Sequence, residues 1–134
     1  MLPIKARRIR STAMPRRAVL LIGCLIAPLA VAQAQQFVAG TEDVPLMPGL
    51  AAVAGTSFAF DKPEGRIVGA EAHGKLSRAA VRGFYAATLP QLGWVAAPPD
   101  RWQRESEALR IEFKGRDGDL TVGFTLSPRG GGSP

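Results

Sequence analysis

The sequence predicts an α+β fold: a two-layer sandwich in which one helix packs on an antiparallel sheet of about five strands, in the order β-β-α-β-β-β. Three observations carry that expectation. Leu109–Lys114 and Leu120–Leu126 alternate apolar and polar residues with a period of two. The pair Asp117-Gly118 lies between them and marks a hairpin turn. Between Ser77 and Gly93, apolar residues recur at helical spacing.

Taken in order, the first strand is expected over Gly55–Phe60, with Thr56, Phe58 and Phe60 on one face. Asp61-Lys62-Pro63-Glu64-Gly65 is a turn, because proline fixes φ and glycine frees it. Arg66–Ala72 returns as a second strand; Val68, Ala70 and Ala72 form its better face for burial, opposite Ile67, Gly69 and Glu71. Ser77 suits a helix N-cap, and Leu76 with Val81 can form a hydrophobic staple. Val81, Phe84, Tyr85, Thr88 and Leu92 make one stripe, with Leu89 beside it and Arg78 and Arg82 outside. Pro90 cannot donate to the carbonyl of Ala86, so the helix ends or kinks near Leu89, and Gly93 can take the left-handed turn that follows.

Trp94–Ala97 is then a short strand, stopped by Pro98-Pro99-Asp100, and Arg101–Glu105 pairs back with Trp102 near the sheet. In the last two strands Leu109, Ile111, Phe113, Leu120, Val122, Phe124 and Leu126 point inward, while Thr121, Gly123 and Thr125 point out. One apolar face per strand means that one side of the sheet is covered, and the single helix is the cover available. The smooth outer face of the last strand could also accept a further strand by edge pairing.

Four segments follow from this reading: a signal peptide over 1–34, an extended proline-rich arm over 35–49, the α+β domain over 50–128 and a flexible tail over 129–134. Pro45, Pro48, Gly49 and Glu42-Asp43 give the arm its extended character, although Val44, Leu46 and Met47 could dock it on the domain. In the leader, a basic stretch to Arg17 precedes the uncharged, mostly apolar Ala18–Ala32, and Ala32-Gln33-Ala34 is an A-x-A pattern that places a cut before Gln35. Met14 is an alternative start. A retained membrane anchor conflicts with the shortness of the apolar run and with Pro28. A lipoprotein is an alternative, since Leu21-Ile22-Gly23-Cys24 fits a lipobox, but the apolar run continues past Cys24 where a polar tether is expected. A mitochondrial transit peptide would share the arginines and the lack of acids; the compact apolar region and the A-x-A favour secretion. Arg16-Arg17 matches a twin-arginine signal poorly.

The formal charge of +6 is a property of the leader. Lys5, Arg7, Arg8, Arg10, Arg16 and Arg17 all lie there, whereas from Gln35 onward 11 Lys/Arg face 11 Asp/Glu. A neutral domain has no strong footprint for phosphate, so nucleic acid is not an expected partner. Cys24 is the sole cysteine, which leaves the domain without a disulfide, a thiol nucleophile or thiolate metal ligands.

Phe84-Tyr85-Ala86-Ala87-Thr88-Leu89-Pro90-Gln91-Leu92-Gly93-Trp94 resembles a helix-to-strand joint of the form FY-x(3)-LP-x-LGW. That joint recurs in small, uncharacterised exported envelope proteins of bacteria, usually after a P-x-x-PG arm like Pro45–Gly49. The resemblance extends in outline over residues 44–127 and is specific at the joint. It implies an exported β-β-α-β-β domain, and it carries over no catalytic or binding residue.

Candidate chemistry is sparse. His73, the only histidine, could act as a general base with Glu71 two residues away, against the plainer reading of a solvated turn histidine. One histidine without cysteine leaves only carboxylates to complete a metal site, and neither metal nor cofactor is expected. Asp61 and Glu64 flank one turn and Asp117 and Asp119 another, where carboxylates commonly bond nearby backbone; the second pair lacks the ligand count of a calcium loop. Tyr85, Trp94 and Trp102 with Arg104, and with Arg101 and Arg110 nearby, could line a groove for glycan or acidic peptide, against the plainer reading of core and edge packing.

The expectation is therefore a periplasmic accessory domain with a binding or structural role, contacting an envelope protein or polymer, and meeting the membrane only through its leader before cleavage. The alternatives are a lipoprotein anchored through Cys24 and a small hydrolase using His73 with a carboxylate. Mass spectrometry of the chain recovered from its host separates the first two: an N-terminus at Gln35 is expected, and a diacylated Cys24 would establish the tether instead.

Overall fold

The computed structural model describes residues 34–130, together with Pro3 and Leu29. Apart from those positions, the expected leader with Cys24 lies outside the described residues, as does the end of the tail from Gly131. Seven strands and one helix follow the arm: β1 (Ala51–Ala52), β2 (Phe58–Lys62), β3 (Gly65–Gly74), α1 (Arg78–Thr88) continued by a 3₁₀ turn (Leu89–Leu92), β4 (Val95–Ala96), β5 (Arg101–Arg104), β6 (Glu107–Arg116) and β7 (Asp119–Pro128). All strand pairs are antiparallel, in the spatial order β1-β3-β7-β6-β5-β4, with β2 also paired to β3. The expected α+β class holds. The sheet has seven strands instead of about five, and three of them precede the helix.

The extra strand has a simple origin. β1 and β2 share one edge of β3, with Ala52 opposite Ala72 and Phe58 opposite Gly69. Between them the chain loops out, and Thr56 Oγ1 accepts from the Glu71 amide at 3.1 Å while Val53 N donates to the Glu71 carbonyl at 2.9 Å. The two pieces act as one edge strand broken by a bulge, and Ala51-Ala52 offers no alternation by which to foresee it. β7 lies between β3 and β6, so both of its edges are occupied. That overturns the expectation that the last strand could take a further strand by edge pairing.

One face of the sheet carries the core. Ala70, Ala72, Leu109, Ile111, Leu120, Val122 and Phe124 are buried there against Val81, Tyr85 and Leu89 of the helix and its 3₁₀ turn. Each of the valines, leucines, isoleucine and phenylalanine contributes about 1.5–3 kcal/mol on leaving water. The helix starts where expected: Ser77 Oγ accepts from the Ala80 amide at 3.1 Å. Its end differs in one respect. Pro90 follows Leu89, and the chain tightens into a 3₁₀ turn, which advances 120° per residue instead of 100°. Leu89 stays fully buried, while Leu92, expected on the buried stripe, swings out to 40% exposure. Gly93 then takes the left-handed conformation, with φ of 85°, and the Trp94 amide bonds back to the Leu89 carbonyl at 3.1 Å.

Eleven helical residues cannot cover so broad a sheet, and the arm supplies the remainder. Val38, Val44, Leu46 and Leu50 are buried in the same cluster as the helix stripe. The arm is thus not the unpacked segment its prolines suggest but part of the core, docked through Val44, Leu46 and Met47 as their apolar character allows, and it belongs to the same compact unit as the sheet. It folds on itself first: Val38 N donates to the Val44 carbonyl at 2.9 Å, and Leu46 N to the Gln36 carbonyl at 2.8 Å. The turn between them uses Gly40 at φ of 82°, where a Cβ would stand 2.7 Å from Val68 Cγ1. The Tyr85 hydroxyl then ties the arm to the helix, donating to the Pro45 carbonyl at 2.9 Å and accepting from the Met47 amide at 3.3 Å. Burial pushes the Tyr85 phenol well above its ordinary pKa, and the Met47 bond only partly offsets this, so the hydroxyl stays protonated and able to donate.

Among the described residues no helix is long and apolar enough to cross a membrane. Replacing Tyr85 with Phe keeps the ring and removes both bonds to the arm, leaving the buried Pro45 carbonyl without its donor. The expected cost is about 1–3 kcal/mol of unfolding free energy, read from denaturant titration.

Candidate functional site

Three surfaces of the domain gather polar or aromatic groups. The first is the face of the sheet opposite the helix and arm. On β2, Phe58 and Phe60 stack with ring centroids 5.1 Å apart and planes at 20°, and they stand 45% and 52% exposed. Phe58 lies opposite Gly69, and a Cβ at that glycine would run into the Phe58 ring; the ring therefore rests flat on the backbone of β3. Next to Gly69 on β7 is Thr125, followed by Gly123 and Thr121 on the same face, so a low strip of small side chains continues from the aromatic pair.

Charged groups border that strip, and several of them pair, while Arg101 and Arg116, in register with Arg110 and Asp119, form no ion pair among the described residues. Lys114 bonds Glu71 across β7, and that carboxylate with its charge raises the lysine pKa. Arg110 pairs with Glu112 at 2.8 Å. His73 Nε2 lies 2.7 Å from Asp119 Oδ1, with the two side chains 45% and 63% exposed. The carboxylate expected beside His73 was Glu71; it is taken by Lys114, and Asp119, forty-six residues away in sequence, stands in its place.

A second surface is a notch of about 410 Å³ between α1 and the β5–β6 part of the sheet, lined by Arg78, Arg82, Asp100, Arg101, Arg110 and Phe113 among others. Its arginines are largely engaged. Arg82 grips Asp100 through two bonds of 2.8 Å and lies over the Phe113 ring at 4.9 Å. Arg78 reaches the Gly115 carbonyl at 2.6 Å, and its amide is capped by Asp117 Oδ1 at 3.0 Å. Asp117 is thus a helix-end partner, in keeping with the local backbone role expected of the turn carboxylates.

The third is a cavity of about 430 Å³ beside the arm, walled by Glu42, Asp43, Glu64, Arg66, Arg104 and Glu107 over Val68, Leu126 and Pro128. Arg104 bridges Asp43 and Glu107, the latter at 3.0 Å, and its guanidinium sits 4.4 Å over the Trp94 ring. Burial disfavours its charge, but the bonds to Glu107 and Asp43 and their charges prevail, and its pKa is raised.

The four residues expected to line a ligand groove come together only in part. Trp94 and Tyr85 are buried, Trp102 is half-buried against the core, and Arg104 alone reaches the cavity. The Trp94 indole N–H is buried without a partner among the described residues. Among those residues no group of three or more His, Cys, Asp or Glu side chains converges as a metal site would require. The residues that sequence reasoning passed over are Phe58 and Phe60 as surface groups. The available signal was Gly69: a glycine inside a strand, opposite an aromatic, marks a ring lying on the sheet.

Comparison with protein-family models, with curated proteins and with solved structures finds no match to this chain.

The Arg82–Asp100 pair has a pH signature. The Arg82 hydrogen bond holds the Asp100 carboxyl below the ordinary carboxylate range; partial burial opposes this and the Arg82 charge adds to it. A depressed folded-state pKa stabilises the fold above the unfolded carboxylate range, and that stabilisation disappears as pH falls through the lower folded value. Asp100→Asn should therefore melt below the parent chain at about pH 7, and the two melting curves should converge toward about pH 2.

Proposed function

We propose that this chain is an exported binding domain of the cell envelope, delivered by a cleaved leader, which holds an envelope component on the uncovered face of its sheet. The observation that carries this reading is the Phe58–Phe60 pair: two stacked rings, each about half exposed, on a face that neither helix nor arm covers. Exposed aromatics grouped on a polar face are costly to leave in water and mark contact surfaces. The neutral charge from Gln35 onward supports a partner other than a polyanion. The basic leader with its A-x-A site supports a periplasmic address.

Hydrolysis is a second reading, supported by the 2.7 Å His73–Asp119 pair, in which the carboxylate could orient an imidazole base. The pair stands in the open, on the same face as the aromatic rings, where water screens its charges. Capture of partners from envelope extracts by the tagged full-length chain tests both readings. Phe58→Ser with Phe60→Ser should abolish capture while leaving the far-ultraviolet dichroism unchanged. His73→Ala should capture as the parent does; if it instead abolishes a turnover seen with the parent chain, the hydrolytic reading replaces the binding one.

A further inference from the structure

We infer that the outer edge of β2 pairs with β2 of a second copy of this chain, joining two sheets about a two-fold axis at Phe60. The edge is open. Glu71 turns both its amide and its carbonyl toward the β1–β2 side of β3, where Thr56 and Val53 meet them. Backbone groups alternate along an antiparallel strand, so Gly65, Ile67 and Gly69 face the same way, toward Lys62, Phe60 and Phe58 of β2. The peptide groups of Ala59 and Asp61 therefore point outward, and among the described residues no neighbouring strand meets them. All five residues of β2 are exposed. An open edge that also carries two exposed aromatic rings is a template for another strand.

The residues of that edge select their own copy as the occupant. Antiparallel pairing with Phe60 opposite the partner's Phe60 matches the whole of Phe58–Lys62 in one strand with the whole of it in the other. Ala59 then meets the partner's Asp61, and Asp61 the partner's Ala59, as hydrogen-bonded pairs, with the two Phe60 residues between them where facing side chains come closest. Phe58 stands opposite the partner's Lys62. Lys62 forms no ion pair among the described residues, and its ammonium finds an aromatic face there. Charges on an edge ordinarily discourage pairing, but in this register no like charges meet: Asp61 faces alanine and Lys62 faces a ring. Sliding the strands two residues one way sets Asp61 against Asp61, and the other way leaves Lys62 opposite Thr56, outside the strand. Arg101 and Arg116 lie on β5 and at the far end of β6, away from this edge, and take no part. The inference is independent of the proposed binding role, because substitutions at the edge spare both rings.

Sedimentation equilibrium of the full-length chain, from about 10 µM to about 1 mM, tests the inference. A ladder this short makes a small interface, so a monomer–dimer equilibrium within that range is expected. Ala59→Pro deletes an outward amide that β3 does not use, at an edge position that tolerates proline. Symmetry makes this a loss of two hydrogen bonds, and the dimer should weaken at least about tenfold. Lys62→Glu, at an exposed site, guards against a folding defect and should weaken the dimer about fivefold through its two contacts with Phe58 rings. Both variants should keep the far-ultraviolet dichroism of the parent. A chain that stays monomeric to about 1 mM, or a dimer that both variants leave unchanged, overturns the inference. Air oxidation of single-cysteine chains, on a Cys24→Ser background, reads the register. Phe60→Cys sets the two thiols beside the axis, within the span of a disulfide, whereas Lys62→Cys sets them well beyond its limit of about 7 Å between Cα atoms. Cross-linking of Phe60→Cys alone supports the pairing; cross-linking of both alike, or of neither, overturns it.

Discussion

The Tyr85 hydroxyl is where three separate parts of the chain are joined. It lies on the helix stripe, its ring packs edge-on to Phe124 of the central strand at 5.5 Å, and its oxygen holds both Pro45 and Met47 of the arm. The constraint behind this junction is one of area. A helix of eleven residues on a sheet of seven strands leaves apolar surface uncovered, and a folded chain of this size has little stability to spare. The arm closes the gap with Val38, Val44, Leu46 and Leu50, and its peptide groups need partners once they leave water. Tyr85 supplies two of these, and the 2.9 Å bond to Pro45 meets a carbonyl that no ladder reaches.

The same division of labour accounts for the other side. Because helix and arm both pack on one face, the opposite face must be stable in water without a cover. Its solution is a set of side-chain pairs across neighbouring strands, such as Glu71 with Lys114, arranged around a strip kept low by Gly123. Phe58 and Phe60 are the departure from that solution. Each ring shields part of the other and Phe58 shields the bare backbone at Gly69, yet about half of each remains in solvent. A surface designed only for solubility would not carry them.

What could be read from the residues was whatever the chain states locally. The alternation in β6 and β7 and the Asp-Gly turn between them were legible, because a half-buried antiparallel hairpin writes its faces into neighbouring residues. The Ser77 cap and the Gly93 stop were legible for the same reason. The burial of the arm was legible only in part: Val44, Leu46 and Met47 marked where it could dock, but its partners lie about forty residues away and its prolines resemble those of a solvated linker. Leu92 was misplaced because a 3₁₀ turn changes the angular step after Pro90. The candidate site was less legible than the fold. Trp94, Trp102 and Tyr85 drew attention as large aromatics, and they serve the interior, while the exposed pair is two phenylalanines whose face is decided by pairing with β3. The exchange of Glu71 for Asp119 beside His73 likewise depends on register between distant strands.

The position of β7 bears on timing. β7, the last of the seven strands in chain order, sits between β3 and β6, so the two halves of the sheet share no ladder until it is in place. A nascent chain of this topology has no stable stopping place partway, because its earlier strands would expose both unpaired edges and an unsealed interior. Closure of the sheet therefore waits on β7, and the strand order makes the pairing of distant segments the slow step of folding.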